Sequence, residues 1–220
     1  MAEEAMTLVK ICGVTSLDDA RAALDAGADM LGFNFYRQSP RFIEPIAVRK
    51  ILESLRSERR DEPVTAVGVF VNEPSPDAVM EFVAAAGLDA VQLHGDESVE
   101  FCQRLRKLLS GKSLIKVLRV IGRFTPTETE AYDADAIMLD SFHGEMRGGT
   151  GHVFDWAIAR SVRDSVPRLF LAGGLSPENV ARAIAQVQPY AVDACSSLES
   201  SPGQKDVERM KAFVQAVRNG

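Results

Sequence analysis

The sequence predicts a single (β/α)8 barrel that spans residues 1–220 as one domain. Eight apolar runs of strand length recur along the chain, and helical patterns separate them, which is typical of a parallel sheet with helices outside it. Most runs are continuously apolar rather than alternating, as in strands that are covered on both faces. They begin roughly every 22 to 34 residues, the length of one βα unit. A doubly wound open sheet is the alternative arrangement of the same elements.

The first unit shows how each element is identified. The apolar run Leu8–Ile11 ends at Cys12 and Gly13, where the chain can turn. Ser16 then precedes a helical pattern with two aspartates in its first turn, where carboxylates suit the free N–H groups. Gly27 follows the last turn, as a C-terminal stop does. The unit is therefore a strand, a short loop and a helix.

The other units repeat this order. The predicted strands are Thr7–Cys12, Met30–Phe35, Val64–Val71, Ala90–His94, Leu114–Val120, Ala136–Asp140, Leu169–Ala172 and Ala191–Cys195. The predicted helices are Ser16–Ala26, Ile46–Arg59, Pro76–Ala86, Ser98–Leu109, Phe154–Ser165, Pro177–Ala185 and Val207–Val217, with a weaker short helix over Thr125–Tyr132.

The composition is that of an ordinary soluble globular protein. The chain has 220 residues and a formal net charge of −6, with no Lys/Arg stripe, which argues against nucleic-acid binding. No apolar run approaches membrane-spanning length, and the acidic N-terminus lacks the basic start of a signal peptide. Cys12, Cys102 and Cys195 are far apart and fit reduced thiols better than a disulfide framework. We therefore expect a cytoplasmic protein that binds neither nucleic acid nor a membrane.

Two unusual residues end predicted strands, and chemistry in such a barrel takes place at the C-terminal strand ends. Cys12 is either a small core residue or a base whose thiol pKa is lowered by nearby positive charge. Asp140 closes the apolar run Ile137–Leu139, where a carboxylate is costly unless it is paired or functional. It is either a helix cap or ion-pair partner, or a general acid with a raised pKa.

Arg41 and His94 lie in the same region of the predicted barrel. Arg41 is either a surface arginine or a residue that holds a carboxylate with two parallel hydrogen bonds. His94 is either a hydrogen-bonded residue at a strand end or part of the substrate site. His94, His143, His152 and the cysteines show no metal-ligand spacing, so no metal is expected.

A phosphate site is predicted after the seventh and eighth strands. Gly173 and Gly174 are followed at once by a predicted helix start, which offers free N–H groups and a positive helix end. Ser196 and Ser197 add backbone and hydroxyl donors. The alternative is that the two glycines only make a tight turn.

The loop Gly148–Phe154, GGTGHVF, fits neither common nucleotide motif. It has no Lys-Ser/Thr after its glycines, as a P-loop has, and it lacks the third glycine of a dinucleotide fingerprint. It is either a lid or wall of the site, or a flexible loop only.

Motifs along nearly the whole chain resemble those of the phosphoribosylanthranilate isomerase family. KICG, QLHG, GGTGxxFDW and GGLxPENV in this order are specific, whereas any one of them alone is weak. The matching pieces are KICGVTSLDDA (Lys10–Ala20), GFNFYRQSPRFI (Gly32–Ile43), VGVFVNEP (Val67–Pro74), VQLHGDE (Val91–Glu97), IMLDS (Ile137–Ser141), GGTGHVFDW (Gly148–Trp156), LAGGLSPENV (Leu171–Val180) and VDACSSLESSPGQKD (Val192–Asp206).

The resemblance implies an Amadori rearrangement in tryptophan biosynthesis. N-(5-phosphoribosyl)anthranilate, an aminoaldose, becomes the corresponding 1-deoxyribulose aminoketose. By match to the family's motifs, Cys12 is the general base, Asp140 is the general acid, and Arg41 contacts the anthranilate carboxylate. Asp193 helps to orient the substrate amine by the same match, whereas His94 is predicted to bind the substrate from its place at the end of the fourth strand.

The same match assigns the phosphate loop to Gly173 and Gly174. The reaction needs no metal or organic cofactor, so the expected partner is a small phosphorylated aminosugar that carries anthranilate. The expected assembly is a monomer or a homodimer.

The departures from the family lie in the last strand, where its pattern is close to VDVSSGVE and this chain reads VDACSSLE. Ser197 replaces a glycine, and Cys195 replaces a serine. Because a glycine suits a positive φ or a close approach to phosphate, Ser197 predicts strain or weaker binding. A related sugar-phosphate aminoaldose–ketose isomerase and a catalytically silent phosphate-binding barrel remain as alternatives.

Overall fold

Eight parallel strands close into a barrel in which each strand pairs with the next along the chain and the last pairs with the first. The computed structural model describes residues 6–60, 62–119, 127–140, 156–166 and 168–220. The predicted (β/α)8 barrel is confirmed, and the open sheet is excluded because β8 pairs with β1. The strands are β1 (Leu8–Cys12), β2 (Met30–Asn34), β3 (Thr65–Phe70), β4 (Ala90–Leu93), β5 (Ser113–Arg119), β6 (Ala136–Asp140), β7 (Leu169–Leu171) and β8 (Ala191–Ala194).

The helices lie between these strands in the chain. They are α1 (Leu17–Asp25), α2 (Pro45–Glu58), α3 (Pro76–Ala86), α4 (Val99–Leu108), α5 (Thr127–Glu130), α6 (Trp156–Arg163), α7 (Val180–Val187) and α8 (Val207–Arg218). A short hairpin, β9 (Glu199–Ser201) and β10 (Gln204–Lys205), comes between β8 and α8. The predicted loop Gly148–Phe154 lies outside the described residues.

Side-chain caps fix where several helices begin. Ser16, Ser75 and Ser98 each accept a hydrogen bond from a backbone N–H three residues on, at the start of α1, α3 and α4. Such a cap stabilises a helix by about 1 kcal/mol, because it satisfies an N–H group that has no partner within the helix. The predicted beginning of α1 after Ser16 is therefore confirmed.

Helix α7 begins later than the sequence predicts. The expected start was Pro177, but α7 starts at Val180. The reason is Asn179, whose Oδ1 accepts the backbone N–H of Ser176 and whose Nδ2 donates to the carbonyl of Gly174. Asn179 therefore folds the segment after β7 into a turn before the helix begins.

Apolar side chains form two layers, one on each side of the barrel wall. The outer layer packs strands against helices and contains most of the buried residues. The inner layer fills the barrel with every second residue of the strands, such as Leu8, Ala90, Met138 and Ala191. Two positions further along each of these strands, the inward-facing side chains reach the C-terminal end of the barrel, which we call the mouth.

Within the part of the chain that the structure describes, no helix is both long and apolar enough to cross a membrane.

Candidate active site

The alternation along the strands brings chemically active side chains to the mouth. Asp140 follows the inward-facing Met138 by two positions, and Asp193 follows Ala191 by two. On β1, the inward-facing Leu8 is followed by Lys10 and then Cys12. Because β1 is separated from β6 by β8 and β7, Cys12 and Asp140 do not lie on neighbouring strands.

Lys10 and Asp193 form an ion pair across β1 and β8 at the base of the mouth. The two residues are opposite each other in the strand register, and Lys10 Nζ lies 2.7 Å from Asp193 Oδ1. Both side chains are buried. Burial raises the pKa of Asp193 to about 6, with the negative charge of Cys12 acting in the same direction and Lys10 opposing it. Burial lowers the pKa of Lys10, but the charges of Asp193 and Cys12 outweigh this effect and raise it overall.

Cys12 lies above this pair as a nearly buried thiol at the end of β1. The Cys195 side chain hydrogen-bonds the Cys12 sulfur and lowers the pKa of the Cys12 thiol well below its usual value. Burial opposes this shift, while the charges of Lys10 and Lys205 add to it. Positive charge and a thiol donor are thus arranged around Cys12, as a thiolate base requires.

Gly32 on β2 provides the space that this cluster occupies. Its register partner on β1 is Cys12. A Cβ atom built on Gly32 would lie 2.8 Å from Cys12 Sγ and 3.0 Å from Lys10 Nζ. Any larger residue would therefore push the thiol or the ammonium group away, which accounts for a glycine within an otherwise bulky strand.

Asp140 ends a chain of hydrogen bonds that crosses the mouth. His94 Nε2 lies 3.0 Å from Asp140 Oδ2, and His94 Nδ1 lies 3.0 Å from the amide nitrogen of the buried Gln92. Because an amide nitrogen only donates, neutral His94 carries its proton on Nε2 and donates it to Asp140. The Asp140 carboxyl group is partly exposed and hydrogen-bonded to His94, so it is paired, as expected of a carboxylate at the end of an apolar run.

Arg41 is held by a carboxylate from the same chain. Its Nε and Nη2 atoms donate to the two carboxylate oxygens of Glu199, each at 2.7 Å. Glu199 is buried and also accepts from Lys205 Nζ at 3.0 Å. The interpretation of Arg41 as a surface arginine is wrong, because one edge of its guanidinium is fixed beside Cys12 and Cys195. Among the described residues, none accepts a hydrogen bond from Nη1, so the Nη1/Nη2 edge remains available to a ligand.

The two predicted phosphate-binding segments lie side by side. Gly173 and Gly174 follow β7 with φ values of 82° and 67°, and a Cβ on Gly174 would meet nothing within 4 Å. The Ser197 hydroxyl donates to the carbonyl of Leu175, which joins the two segments. Ser197 lies in a short 3-10 helix, Ser196–Leu198, and it is not among the residues with positive φ. The strain expected from serine at this position is therefore absent, because the backbone there is one that any residue adopts.

Several site residues were not identified from the sequence. Two of them are buried polar residues inside strands, Lys10 on β1 and Gln92 on β4. Two others lie in the hairpin after β8, where Lys205 bonds Glu199 and Glu199 holds Arg41. A lysine inside a continuously apolar strand is the signal that could have indicated Lys10, because a buried lysine requires an anion. Cys102, in contrast, is fully buried on α4 and packs in the outer apolar layer. Over the described residues, no group of three or more His, Cys, Asp and Glu side chains could hold a metal ion.

Removal of Lys10 is expected to destabilise the fold strongly. Lys10→Met leaves the Asp193 carboxylate buried without its cation, and breaking such a pair costs about 3–5 kcal/mol. Urea unfolding of Lys10→Met, Asp193→Asn and the double variant measures the coupling between the two residues. The penalty in Lys10→Met should shrink as the pH falls towards the wild-type Asp193 pKa of about 6, because the variant lacks the ammonium group that lowers this pKa and its carboxyl group therefore becomes neutral at a higher pH. Additive single effects would show that the pair is not coupled.

Comparisons with known proteins match almost the whole chain to one enzyme family. The family model described as N-(5'phosphoribosyl)anthranilate (PRA) isomerase matches residues 9–216. The N-(5'-phosphoribosyl)anthranilate isomerase of Trichlorobacter lovleyi is 42% identical over 213 residues, which are 97% of this chain and 98% of that protein.

Solved structures give the same result. The crystal structure of mutually generated monomers of the dimeric phosphoribosylanthranilate isomerase from Thermotoga maritima has a TM-score of 0.81 and 37% identity, and covers 98% of this chain and 100% of its own. A phosphoribosylanthranilate isomerase in complex with reduced 1-(o-carboxyphenylamino)-1-deoxyribulose 5-phosphate has a TM-score of 0.78 and 36% identity, with the same coverage of both chains.

Proposed function

The chain belongs to the N-(5'-phosphoribosyl)anthranilate isomerase family, and from this membership we propose that it catalyses the Amadori rearrangement of N-(5'-phosphoribosyl)anthranilate in tryptophan biosynthesis. The product is 1-(2-carboxyphenylamino)-1-deoxyribulose 5-phosphate. The observation that carries the proposal within this chain is the environment of Cys12, a thiol beside Lys10 and Lys205 in a barrel mouth that also holds Asp140. One acid and one base in different environments are what the rearrangement needs.

The proposed reaction begins at Asp140 as the general acid. Asp140 protonates the furanose ring oxygen, and the ring opens to a protonated Schiff base. His94 occupies one carboxylate oxygen, so the proton for the substrate is carried by the other. His94 thereby orients the acid, and Gln92 in turn fixes the tautomer of His94.

The second step uses Cys12 as the general base. As a thiolate, Cys12 removes the proton from the sugar C2 atom, and the resulting enolamine tautomerises to the ketone. Lys10 is a positioning residue in this step, because its charge stabilises both the Cys12 thiolate and the Asp193 carboxylate. Asp193 is proposed to orient the substrate amine from the wall of the mouth. The steps need no cofactor and draw on one chain, so a monomer or a homodimer suffices.

Arg41 is proposed to bind the anthranilate carboxylate through its Nη1/Nη2 edge. Glu199 holds the opposite edge, so the guanidinium is oriented before the substrate arrives. An arginine without such a partner could bind a carboxylate through either edge of its guanidinium. In Arg41 only the Nη1/Nη2 edge remains for the ligand.

Arg41→Lys is expected to raise KM by about 10- to 100-fold with a smaller change in kcat, since lysine cannot hold Glu199 and a second carboxylate in one plane. Arg49→Lys, at a half-buried arginine on α2 that donates to carbonyls near the end of α3, is the matched control. Steady-state kinetics of both variants measure the effect, and equal KM values would exclude Arg41 from substrate binding.

The phosphate is proposed to bind between the segments after β7 and β8. Gly173 and Gly174 offer backbone N–H groups beside open space, and Ser196 is an exposed donor next to them. Ser197 contributes its backbone, because its hydroxyl already donates to the carbonyl of Leu175.

Turnover of freshly generated N-(5'-phosphoribosyl)anthranilate, followed by the loss of its fluorescence, tests the proposed function. The matched substrate is the phosphoribosyl derivative of aniline, which lacks the carboxylate. We expect turnover of the anthranilate compound with a much lower kcat/KM for the aniline compound. Equal kcat/KM values would favour the related sugar-phosphate isomerase of broader specificity. A folded protein that converts neither compound would favour a silent phosphate-binding barrel.

A further inference from the structure

Cys195 is a thiol in the mouth that exchanges no proton with the substrate in the proposed reaction. The register between β1 and β8 pairs Lys10 with Asp193 and ends with Ile11 and Ala194, and each of these last two residues is followed by a cysteine, Cys12 on β1 and Cys195 just after β8. Neighbouring strands lie about 4.8 Å apart, which is within the range of about 4.4–6.8 Å between the Cα atoms of a disulfide. The two cysteines are therefore spaced for a bond between them.

The Cys195 side chain also interacts with Cys12. Cys195 is the neighbour that most lowers the pKa of the Cys12 thiol, and both residues are free thiols. A Cβ built on Gly13, the residue after Cys12, would lie 2.9 Å from Cys195 Sγ. Cys195 therefore leans from β8 over the end of β1, and only a glycine at position 13 leaves room for it.

We propose that Cys12 and Cys195 form a reversible disulfide that switches the enzyme off when a low-molecular-weight disulfide is the oxidant. The inactivation rests on the proposed function, because it requires Cys12 to be the base. Formation of the bond itself does not.

The proposed exchange has two steps that balance. The Cys12 thiolate attacks one sulfur of the small disulfide, which forms a mixed disulfide and releases one small thiolate. Cys195 then loses its proton and attacks the Cys12 sulfur, which releases the second small thiolate. The two protein thiols are oxidised by two electrons, and the small disulfide is reduced to two thiols.

The surroundings favour this exchange at Cys12 and Cys195. Lys205 Nζ lies 3.8 Å from Cys195 Sγ, and Lys10 stands beside Cys12, so positive charge is available to both sulfur atoms. The route to Cys12 is the one that the substrate takes, and Cys195 is partly exposed. Cys102 is fully buried on α4, and burial raises its pKa to about 11, which makes it a poor nucleophile. The pKa of Cys195 is also raised, first by Cys12 and then by burial, and the contribution of the Cys12 thiolate ends once Cys12 has formed the mixed disulfide.

The test incubates the protein with 2-hydroxyethyl disulfide and then measures free thiols, intact mass, cross-linked peptides and activity. For the wild type we expect the three free thiols to fall to one, with a Cys12–Cys195 peptide and the loss of two hydrogen atoms. Activity should fall by about 100-fold and return with dithiothreitol. Cys102→Ser should behave like the wild type, whereas Cys195→Ser should stop at a mixed disulfide on Cys12.

Other outcomes contradict one proposal or the other. A wild type that keeps three free thiols, or that stops at a mixed disulfide, would overturn the disulfide. A Cys12–Cys195 disulfide in a fully active enzyme would overturn the switch and, with it, the role of Cys12 as the base. No disulfide together with an inactive Cys12→Ala variant would overturn the switch alone.

Discussion

Cys12→Ala is expected to lower kcat by about 10²- to 10⁴-fold, the usual contribution of a positioned general base. Alanine removes the sulfur that takes the proton from the sugar C2 atom, while Lys10 and Asp193 keep their ion pair. KM should change little, because the proposed contacts to the carboxylate and the phosphate come from other residues. Initial rates with freshly generated substrate measure both constants.

The matched control for Cys12→Ala is Cys102→Ala, which removes a thiol buried in the outer apolar layer on α4 rather than inside the barrel mouth. Its kcat should stay near that of the wild type even though a cavity lowers its stability. Thermal unfolding of both variants separates a loss of chemistry from a loss of fold. A Cys12→Ala variant that is folded and keeps most of the wild-type kcat would show that another group is the base.

Asp140→Asn is expected to lower kcat by a similar factor, about 10²- to 10⁴-fold. The amide has the shape of the carboxyl group and can still accept the hydrogen bond from His94, but it cannot deliver a proton to the ring oxygen. Asparagine should therefore leave the fold intact and remove the acid alone. Steady-state kinetics and urea unfolding measure the two effects separately.

Asp96→Asn is the matched control for the acid. Asp96 lies in the loop after β4, with a side chain that is largely exposed. Its replacement should leave kcat unchanged, since an exposed pair of this kind contributes little. If Asp140→Asn were as active as Asp96→Asn, then Asp140 would not be the acid.

The ends of the strands were predictable from the sequence because each strand is a continuous apolar run that ends where the run ends. Continuous apolar runs identify buried parallel strands, and Cys12 and Asp140 stand at the C-terminal ends of two of those runs. Once the barrel is closed, both side chains must lie at the mouth. The fold and the position of the two residues at the mouth therefore follow from local patterns, whereas their roles come from the resemblance to the family.

The environment of these residues was not predictable in the same way. The partner of Lys10 is Asp193, which is 183 positions away along the chain, and no local pattern connects them. Arg41 and Glu199 are 158 positions apart along the chain. The sequence therefore did not indicate that Glu199 holds one edge of the Arg41 guanidinium. The start of α7 was missed because Asn179 bonds back to the loop instead of allowing the helix to begin at Pro177.

The proposed mechanism depends most on Cys12 being a thiolate in the free enzyme. Because the Cys12 pKa is lowered, kcat/KM should fall only when the pH drops well below about 8.5, the ordinary thiol value, as the base becomes protonated. The rate at which iodoacetamide alkylates Cys12, measured by peptide mapping across the same pH range, reports the same ionisation directly. We expect the two curves to share one midpoint below 8.5. An alkylation midpoint at or above 8.5, or one that differs from the midpoint of kcat/KM, would contradict it.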